Sequence, residues 1–300
     1  MAADLAEGSP RLALVLEDEH DENLTREVVD VTDLLALEQL LDRHGITRII
    51  HLAALQVPFC RADPPLGAAV NVVGTVNVFE AARRRRETIG HVVYASSIAA
   101  YDSPNGVPEA SMADVPGTLY GIYKRATEHT AMRYWIDDSL ASIGLRPHTV
   151  YGPARDQGLT SAPTMAMLAA AAERPYEIPY GGRAQFQYAP DVARAFVQAA
   201  LAEPRSAAVH NLRGTPCSVA EVVDAIIAAS PGAEGSISWT ETTLAFPPTV
   251  ESDGLDASIG RLEETPLSVG VADTIARFRV ALADHRLDPS ILDGQEVAAP

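Results

Sequence analysis

Short apolar runs alternate along the chain with segments whose apolar residues recur every three or four positions. The runs are rich in Val, Ile and Leu and predict buried strands at residues 27–31, 47–52, 91–97 and 140–150. These strands are apolar throughout rather than at alternate positions, so both of their faces are expected to be covered. The pattern therefore predicts an α/β fold with a doubly wound parallel sheet.

The segments between the strands carry helix signals. Asp33 and Asp191 are placed as N-caps, because each precedes a run with helical apolar spacing. The predicted helices begin after Asp33, cover residues 64–86, begin at Tyr120, run from Asp191 to Leu201 and cover residues 219–229.

The two ends of the chain are weakly patterned. Residues 11–16 are apolar and fit either a strand or the first turns of a helix, since six residues do not decide between them. Residues 1–10 are small and polar, and the tail from Ala281 is acidic. Both ends are expected to be disordered.

Composition and charge narrow the class of protein. The chain has 300 residues, of which 47% are hydrophobic, enough for a substantial core. A formal net charge of −17 disfavours nucleic acid and anionic membranes as partners. The two cysteines cannot form a disulfide framework, and no apolar run reaches the roughly 18 residues of a membrane span. A cytoplasmic protein without a signal peptide is expected.

One serine, one tyrosine and one lysine stand out as candidate catalytic residues. Tyr120 and Lys124 are four positions apart in a predicted helix, so their side chains share one face. A nearby ammonium lowers the pKa of a phenol, which would let Tyr120 exchange a proton with a substrate hydroxyl. Ser97 ends a predicted strand and would hydrogen-bond the same hydroxyl. The Tyr–Lys spacing alone is common on solvated helix faces, so the prediction depends on its context.

Two motifs supply that context. Residues 96–101 read S-S-I-A-A-Y, and residues 120–124 read Y-G-I-Y-K. They resemble the S-S-x-x-x-Y and Y-G-x-S-K motifs of the extended short-chain dehydrogenase/reductase family, the NAD-dependent epimerase/dehydratase group. The resemblance covers roughly residues 25 to 280. It implies a Rossmann-type fold, a nicotinamide cofactor and catalytic roles for the serine, tyrosine and lysine above.

Three further motifs imply the cofactor-binding residues. Residues 29–33 (V-D-V-T-D), 51–54 (H-L-A-A) and 71–75 (N-V-V-G-T) resemble the family's G-D-[IV]-x-D, H-x-A-[AG] and N-V-x-G-T motifs. In the family, these motifs contact the adenine, allow close approach of the backbone and pack beside the cofactor. The resemblance implies the following cofactor-binding residues: Asp30, Val31, Leu52, Ala53, Ala54, Asn71, Tyr120, Lys124 and His148.

The substrate-binding motifs depart from the family pattern. Thr149 stands where many relatives have an Asn that contacts the nucleotide diphosphate. Ala184 and Gln185 stand where the family has an Arg-Asp pair, so the diphosphate-binding Arg is absent or displaced to Arg183. These differences put a UDP-sugar substrate in doubt. The resemblance implies substrate contacts from Ser97, Thr149, Arg183 and Gln185.

The start of the chain lacks the turn that usually holds a dinucleotide. That turn is Gly-rich and leads into a helix whose N-terminus receives the pyrophosphate, but the only glycine before Gly45 is Gly8. Truncation at the start is therefore expected, with cofactor binding weakened or lost. The resemblance favours NAD and leaves NADP open. Glu17 or Asp18 would be the ribose-binding acid only if residues 11–16 form the second strand.

The motifs also predict a domain organisation. Residues 1–150 are expected to form a dinucleotide-binding domain, incomplete at its start, that also receives about residues 186–213. Residues 151–185 and 214–280 are expected to form a smaller, interleaved substrate domain, followed by a tail over residues 281–300.

The leading hypothesis is an enzyme that oxidises a hydroxyl of a small sugar-like substrate: a sugar, a nucleotide-sugar or a sugar acid. The motifs do not separate an epimerase or dehydratase from a dehydrogenase. The alternative is a catalytically silent or binding protein that reuses the fold, which the missing glycine turn favours. No metal is predicted, because His51 has no second His or Cys at metal-ligand spacing. The resemblance also implies a homodimer, paired through residues 64–86 and 120–135.

Overall fold

The structure is a computed structural model that describes residues 1–6, 10–15, 24–101, 115–244, 247–252 and 254–293. Its strands are β1 Ala2–Asp4, β2 Arg26–Val28, β3 Ile49–His51, β4 His91–Ala95, β5 Ala141–Arg146, β6 Thr149–Tyr151, β7 Tyr176–Ile178, β8 Arg183–Tyr188, β9 Ala207–Asn211, β10 Thr215–Ser218 and β11 Ile237–Trp239. Its α-helices are α1 Pro10–Val15, α2 Leu34–Arg43, α3 Val57–Ala62, α4 Pro64–Ala68, α5 Gly74–Arg83, α6 Leu119–Asp138, α7 Ala162–Ala171, α8 Ala189–Leu201, α9 Val219–Ala229, α10 Leu255–Ile259 and α11 Leu267–Ala283.

Four parallel strands form a central sheet in the order β3-β4-β5-β9. Successive residues of β4 face opposite sides of this sheet, as strand geometry requires. Val92 and Tyr94 pack with Phe79 of α5 in one hydrophobic cluster, whereas Val93 packs with Phe196 of α8 in another. Helices therefore cover both faces, which confirms the predicted doubly wound parallel sheet.

The first strands lie in a separate sheet. β1 pairs in parallel with β2, and the backbone N–H of Val29 extends the ladder to the carbonyl of Asp4 at 2.9 Å. The expectation of disorder over residues 1–10 is therefore wrong for β1, because a strand far along the chain supplies its partner. The open choice at residues 11–16 falls as a helix, α1, over Pro10–Val15. Residues 7–9 and 16–23, which include Gly8, Glu17 and Asp18, lie outside the described residues.

A second group of elements follows β6. Strands β10, β8 and β6 form one small sheet, and β11 and β7 form another. Helices α7, α9 and α11 pack beside them around a core in which nearly the whole of α7 is buried. Between these segments α8 covers a face of the central sheet, and β9 joins it as the edge strand beside β5.

The C-terminal segment is folded as far as the structure describes it. Helix α11 continues to Ala283, and a short 3₁₀ turn covers Pro289–Leu292. Leu287, Ile291 and Leu292 pack against the α7–α11 core. Disorder from Ala281 onward is therefore wrong for residues 281–293, because a few well-placed apolar side chains find a core that the sequence pattern does not reveal. Residues 294–300 lie outside the described residues.

A helix that crosses a bilayer needs about 20 predominantly apolar residues in succession. Among the residues described, no helix combines the length and the apolar character needed to span a membrane.

Candidate active site

Ser97 and Tyr120 are brought together where β4 ends and α6 begins. Ser97 caps the 3₁₀ turn Ile98–Ala100, accepting a hydrogen bond from the Ala99 N–H at 3.1 Å. Thr118 caps α6 through the N–H of Gly121. Gly121 allows α6 to approach this turn, because a Cβ at that position would collide with the carbonyl oxygen of Ala99. The start of α6 therefore lies against the carboxyl end of β4, where ligands of open α/β sheets bind.

The three predicted catalytic residues form one cluster. The Ser97 hydroxyl hydrogen-bonds the Tyr120 phenol. The ammonium of Lys124 lies 5.6 Å from the centroid of the Tyr120 ring and donates a hydrogen bond to the carbonyl of Ala95 at 2.7 Å. Lys124 is only 5% exposed, so the cluster places a cation in a largely dry environment.

Burial, more than charge, sets the protonation of this cluster. Desolvation raises the pKa of Tyr120 above its usual value, while the Ser97 hydrogen bond and the charge of Arg155 act in the opposite direction. Desolvation also lowers the pKa of Lys124 to about 8. The expectation that Lys124 lowers the pKa of Tyr120 is therefore wrong in this structure, since the buried lysine is itself displaced towards its neutral form.

A buried ion pair lies directly behind Lys124. Glu128, one helical turn further along α6, accepts two hydrogen bonds from Arg146 at 2.7 and 2.6 Å, and also accepts one from the hydroxyl of Ser96. The Arg146 guanidinium lies 4.6 Å from the centroid of the Tyr101 ring. The pair ties the ends of β4 and β5 to α6, and the charge of Glu128 helps to keep Lys124 protonated. The sequence motifs did not single it out, although Glu128 shares a helix face with Lys124.

The predicted helix over residues 64–86 is divided into α4, a π-helical segment Ala69–Val73 and α5. The π segment turns Asn71 inward, as such segments often do at functional sites. Its side chain accepts from the Leu55 N–H at 2.7 Å and donates to the Leu55 carbonyl at 2.9 Å and to the sulfur of Cys60 at 3.5 Å. Asn71 thus fixes the loop after β3 beside the cluster.

The family model described as the NAD dependent epimerase/dehydratase family matches residues 7–211. The chain belongs to this family.

Individual relatives share the motifs over part of their length. The chain is 35% identical over 127 residues to UDP-glucuronate 4-epimerase 6 of Arabidopsis thaliana, a match that covers 41% of this chain and 27% of that protein. A second Arabidopsis thaliana protein, UDP-glucuronate 4-epimerase 2, is 34% identical over 127 residues, 41% of this chain and 29% of its own length. The chain thus spans under a third of the length of these two relatives.

Solved structures show the same fold over most of the chain. MoeE5 in complex with UDP-glucose and NAD is 26% identical, with a TM-score of 0.73 over 93% of this chain and 98% of that one. The GalE-like L-threonine dehydrogenase of Cupriavidus necator is 23% identical, with a TM-score of 0.74 over 91% and 98%. UDP-glucose 4-epimerase of Thermotoga maritima is 18% identical, with a TM-score of 0.75 over 93% and 98%.

The residues at the carboxyl edge of the sheet fit the nicotinamide cofactor of this family. Leu52 and Ala53 are exposed directly after β3, and Ala54 is half-buried, so small side chains border the crevice. The bond to Ala95 uses one of the three N–H donors of Lys124. These residues would hold the nicotinamide end of the cofactor.

The predicted adenine-side residues lie further out, after β2. The carboxylate of Asp30 is exposed and accepts hydrogen bonds from the N–H and the hydroxyl of Thr32, both at 2.8 Å. The Val31 carbonyl accepts a bond from Asn77 at 3.0 Å, which anchors this turn to α5. Asp30 and Val31 thus stay cofactor-binding predictions, on a turn held in place by its own contacts.

The residues predicted from the second half of the chain have other partners. His148 hydrogen-bonds Thr149 at 3.2 Å and the Pro247 carbonyl at 2.8 Å, and Gln185 accepts from the N–H of Val250 at 3.2 Å. Arg183 is exposed and lies 3.3 Å from Glu221 at the start of α9. Their cofactor- and substrate-binding roles remain predictions, and the contacts place Arg183 at the protein surface.

Arg155 is a residue of this site that the sequence motifs did not reveal, since it stands in a polar loop. It follows β6 and reaches across to the loop after β3, where it donates to Gln56 at 3.3 Å. Its charge acts on Tyr120. The available signal was its position just after Tyr151-Gly152-Pro153, at the carboxyl end of a strand beside the cluster.

Proposed function

We propose that this chain oxidises a hydroxyl of a sugar-like substrate with NAD, using Tyr120 as the proton acceptor. The observation that carries the proposal is the Ser97–Tyr120 hydrogen bond with the buried Lys124 beside it. A hydroxyl, a phenol and an ammonium at the mouth of a dinucleotide crevice can together take a proton from an alcohol.

Each of the three residues has a separate task. Ser97 positions the substrate hydroxyl by a hydrogen bond, and Tyr120 receives its proton. Lys124 contributes positive charge beside the phenol and holds the cofactor ribose. A nicotinamide cofactor, when bound, supplies the hydride acceptor. NAD rather than NADP is supported by the family description and by the complex of MoeE5 with UDP-glucose and NAD.

The substrate class is proposed from the relatives. Their names include UDP-glucuronate, UDP-glucose and L-threonine. All three molecules carry a secondary hydroxyl that such a cluster can deprotonate. An epimerase returns the hydride to the same substrate and a dehydrogenase releases the reduced cofactor, and both outcomes use the same three residues.

Tyr120→Phe tests the chemistry. The variant keeps the ring and loses the proton acceptor, so turnover should fall by about 10²- to 10⁴-fold, the usual contribution of a general acid–base group. Tyr123→Phe is the matched control, because that phenol, three residues along the same helix, only donates to the Pro64 carbonyl at 3.1 Å. Undiminished NADH formation by Tyr120→Phe would refute the mechanism.

Cofactor binding tests the silent alternative. Calorimetric titration of the chain with NAD and, separately, NADP should give micromolar binding of NAD if the site is competent. Binding of NADP alone would reverse the cofactor assignment. Absence of binding by both would favour a silent protein, and activity would then not be expected from this chain.

We also propose a homodimer of a cytoplasmic protein. Exposed apolar residues lie on the adjacent helical segments from α4 to α6: Leu66, Val73, Ile122, Met132 and Ile136. Those on α6 fall within one face at helical spacing. A contiguous apolar face of this kind is typical of a protein interface. The cytoplasmic location is supported by the two cysteines, both of them free thiols.

A further inference from the structure

We propose that Arg155 and Tyr180 form an anion subsite beside Tyr120, which recognises a carboxylate carried by the substrate near the reacting hydroxyl. The inference deepens the proposed function and rests on it, because it names the chemical class of the substrate. It would make the substrate a hydroxy acid rather than a neutral sugar.

The backbone before Arg155 is held in an unusual conformation. Ala154, directly before it, has φ of 68°, a left-handed value that a residue with a Cβ rarely adopts. Such a conformation costs about 1 kcal/mol or more and clusters at ligand clamps and active sites. Gly158 in the same loop leaves room for the arginine, because a Cβ there would collide with Gln56, the partner of Arg155. The loop is shaped around this side chain.

The hydrogen-bond partners of Arg155 among the described residues are neutral oxygens. Its guanidinium donates to Gln56 at 3.3 Å, to the Thr160 hydroxyl at 3.1 Å and to the carbonyl of Gln157. The neighbouring carboxylate, Asp156, forms its ion pair with Arg11 at 2.7 Å. A desolvated guanidinium among neutral dipoles lacks the charge compensation that buried cations usually have. An anionic ligand would supply it.

Tyr180 adds a hydroxyl that no protein group satisfies among the described residues. Its side chain is 0% exposed, and its hydroxyl oxygen has no hydrogen-bond partner there. A buried phenol without a partner costs stability, so such groups are rare and call for an explanation. An oxyanion beside Arg155 would accept this hydrogen bond.

Arg155 acts on two tyrosines. Its positive charge lowers the pKa of Tyr120 and that of Tyr180, opposing in both cases the increase caused by burial. The guanidinium is therefore within electrostatic reach of the Tyr120 phenol and of the unpaired Tyr180 hydroxyl. A carboxylate bound by Arg155 would lie close to the Ser97–Tyr120 pair that engages the hydroxyl.

One guanidinium and one phenol match the single negative charge of a carboxylate. A diphosphate would require more positive charge, and Arg183 is exposed, close to Glu221 and bonded to the Pro216 carbonyl at 3.1 Å. The anion recognition of this chain is thus placed beside the reacting centre.

The test compares acids with neutral analogues of the same shape. Calorimetric titrations would use three pairs: D-glucuronate and D-glucose, UDP-glucuronate and UDP-glucose, and L-threonine and threoninol. In at least one pair the acid should bind about 10-fold or more tightly, as expected for a charge-assisted hydrogen bond. The pair that shows the preference tells a sugar acid from a hydroxy amino acid. Equal affinities within every pair, or no binding of any acid up to about 10 mM, would overturn the subsite.

Variants assign the preference to the two residues. Arg155→Gln should abolish the preference for the acid and leave the neutral analogue's affinity little changed, whereas Arg155→Lys should retain part of it. Tyr180→Phe should weaken acid binding a few-fold. Arg174→Gln, which removes an exposed arginine paired with Asp293, is the control. A preference that survives Arg155→Gln would also overturn the assignment.

The same titrations separate this inference from the proposed function. Tyr120→Phe should bind the acid with its preference intact and should not turn it over. If that variant turns the acid over normally, the proton-transfer mechanism fails while the subsite stands. If wild-type turnover needs Tyr120 but ignores the carboxylate, the subsite fails while the mechanism stands.

Discussion

Three titratable side chains near the ends of β3 and β4 are displaced towards their neutral forms. Desolvation raises the pKa of Tyr120, lowers that of Lys124 to about 8 and lowers that of His51 to about 3. The sequence shows that a tyrosine and a lysine share a helix face, but the depth of their burial depends on elements from elsewhere in the chain. The sign of the effect on Tyr120 could therefore not be read from the spacing alone.

The tautomer of His51 follows from its contacts. The Thr75 hydroxyl donates to the Asn71 carbonyl at 2.7 Å, so its oxygen accepts from Nε2–H of His51 at 3.0 Å. The histidine is buried and neutral, and its role is to join β3 to the start of α5. It is not placed as a base, in agreement with its interpretation as a strand histidine.

His51 should make the protein sensitive to acid. The folded state keeps the imidazole neutral down to about pH 3, whereas the unfolded chain protonates it below the ordinary histidine pKa of 6.5. The contribution is therefore complete above pH 6.5 and is lost as the pH falls towards 3. By pH 5 the loss should reach about 2 kcal/mol. Urea unfolding at pH 7 and pH 5 would show a smaller drop for His51→Gln than for the wild type.

A surface histidine provides the control for this measurement. His285 is exposed at the end of α11 and has a left-handed φ of 55°, which Asn tolerates. His285→Asn should retain the wild-type loss of stability. Equal losses in wild type and His51→Gln would contradict the assignment.

At the scale of elements, Glu128 joins three of them. Its carboxylate takes hydrogen bonds from Ser96 after β4 and Arg146 at the end of β5, and it is carried by α6. Removing one partner of a buried pair leaves the other charge uncompensated, which is usually costly. The pair therefore holds the strand ends against the helix that carries Tyr120 and Lys124.

Glu128→Gln should shift the alkaline limb of the activity profile. The Glu128 charge supports the protonated form of Lys124, as does Cys60. Without it the pKa of Lys124 should fall below about 8, so kcat/KM should decline at a lower pH than in the wild type. The measurement is kcat/KM from about pH 6 to about pH 10. Glu80→Gln, which disturbs an acid bonded to Arg83 and Arg84 on α5, should leave the limb in place. Superimposable profiles for Glu128→Gln and wild type would refute the coupling.

For the whole molecule, the exposed apolar face on α6 should control assembly. Ile136 is 59% exposed on that face, and a glutamate there would place a charge in the proposed interface. Sedimentation velocity should show a dimer for wild type and a monomer for Ile136→Glu. Val280→Glu, at an exposed position of α11, should remain dimeric. A monomeric wild-type protein would remove the proposed interface.

Much of the fold followed from the sequence because its signals are local. The apolar runs at 91–97 and 140–150 became β4 and β5–β6, and Asp33 caps α2 through the Ala36 N–H at 3.0 Å as predicted. The cluster of Ser97, Tyr120 and Lys124 was also found, since the end of a strand and an i, i+4 helix pair are positions that the sequence itself defines.

The features that escaped depend on contacts between distant segments. β1 exists because it pairs with β2, and Leu287 to Leu292 are ordered because α7 and α11 provide a core for them. Arg155 faces Tyr120 only after the loop following β6 folds over the loop following β3. The sequence by itself determined the order of strands and helices and the residues able to move a proton, since both rest on short-range spacing. The tertiary structure alone decided their burial, their protonation and the cation beside them, because desolvation and charge act between residues that the chain keeps far apart.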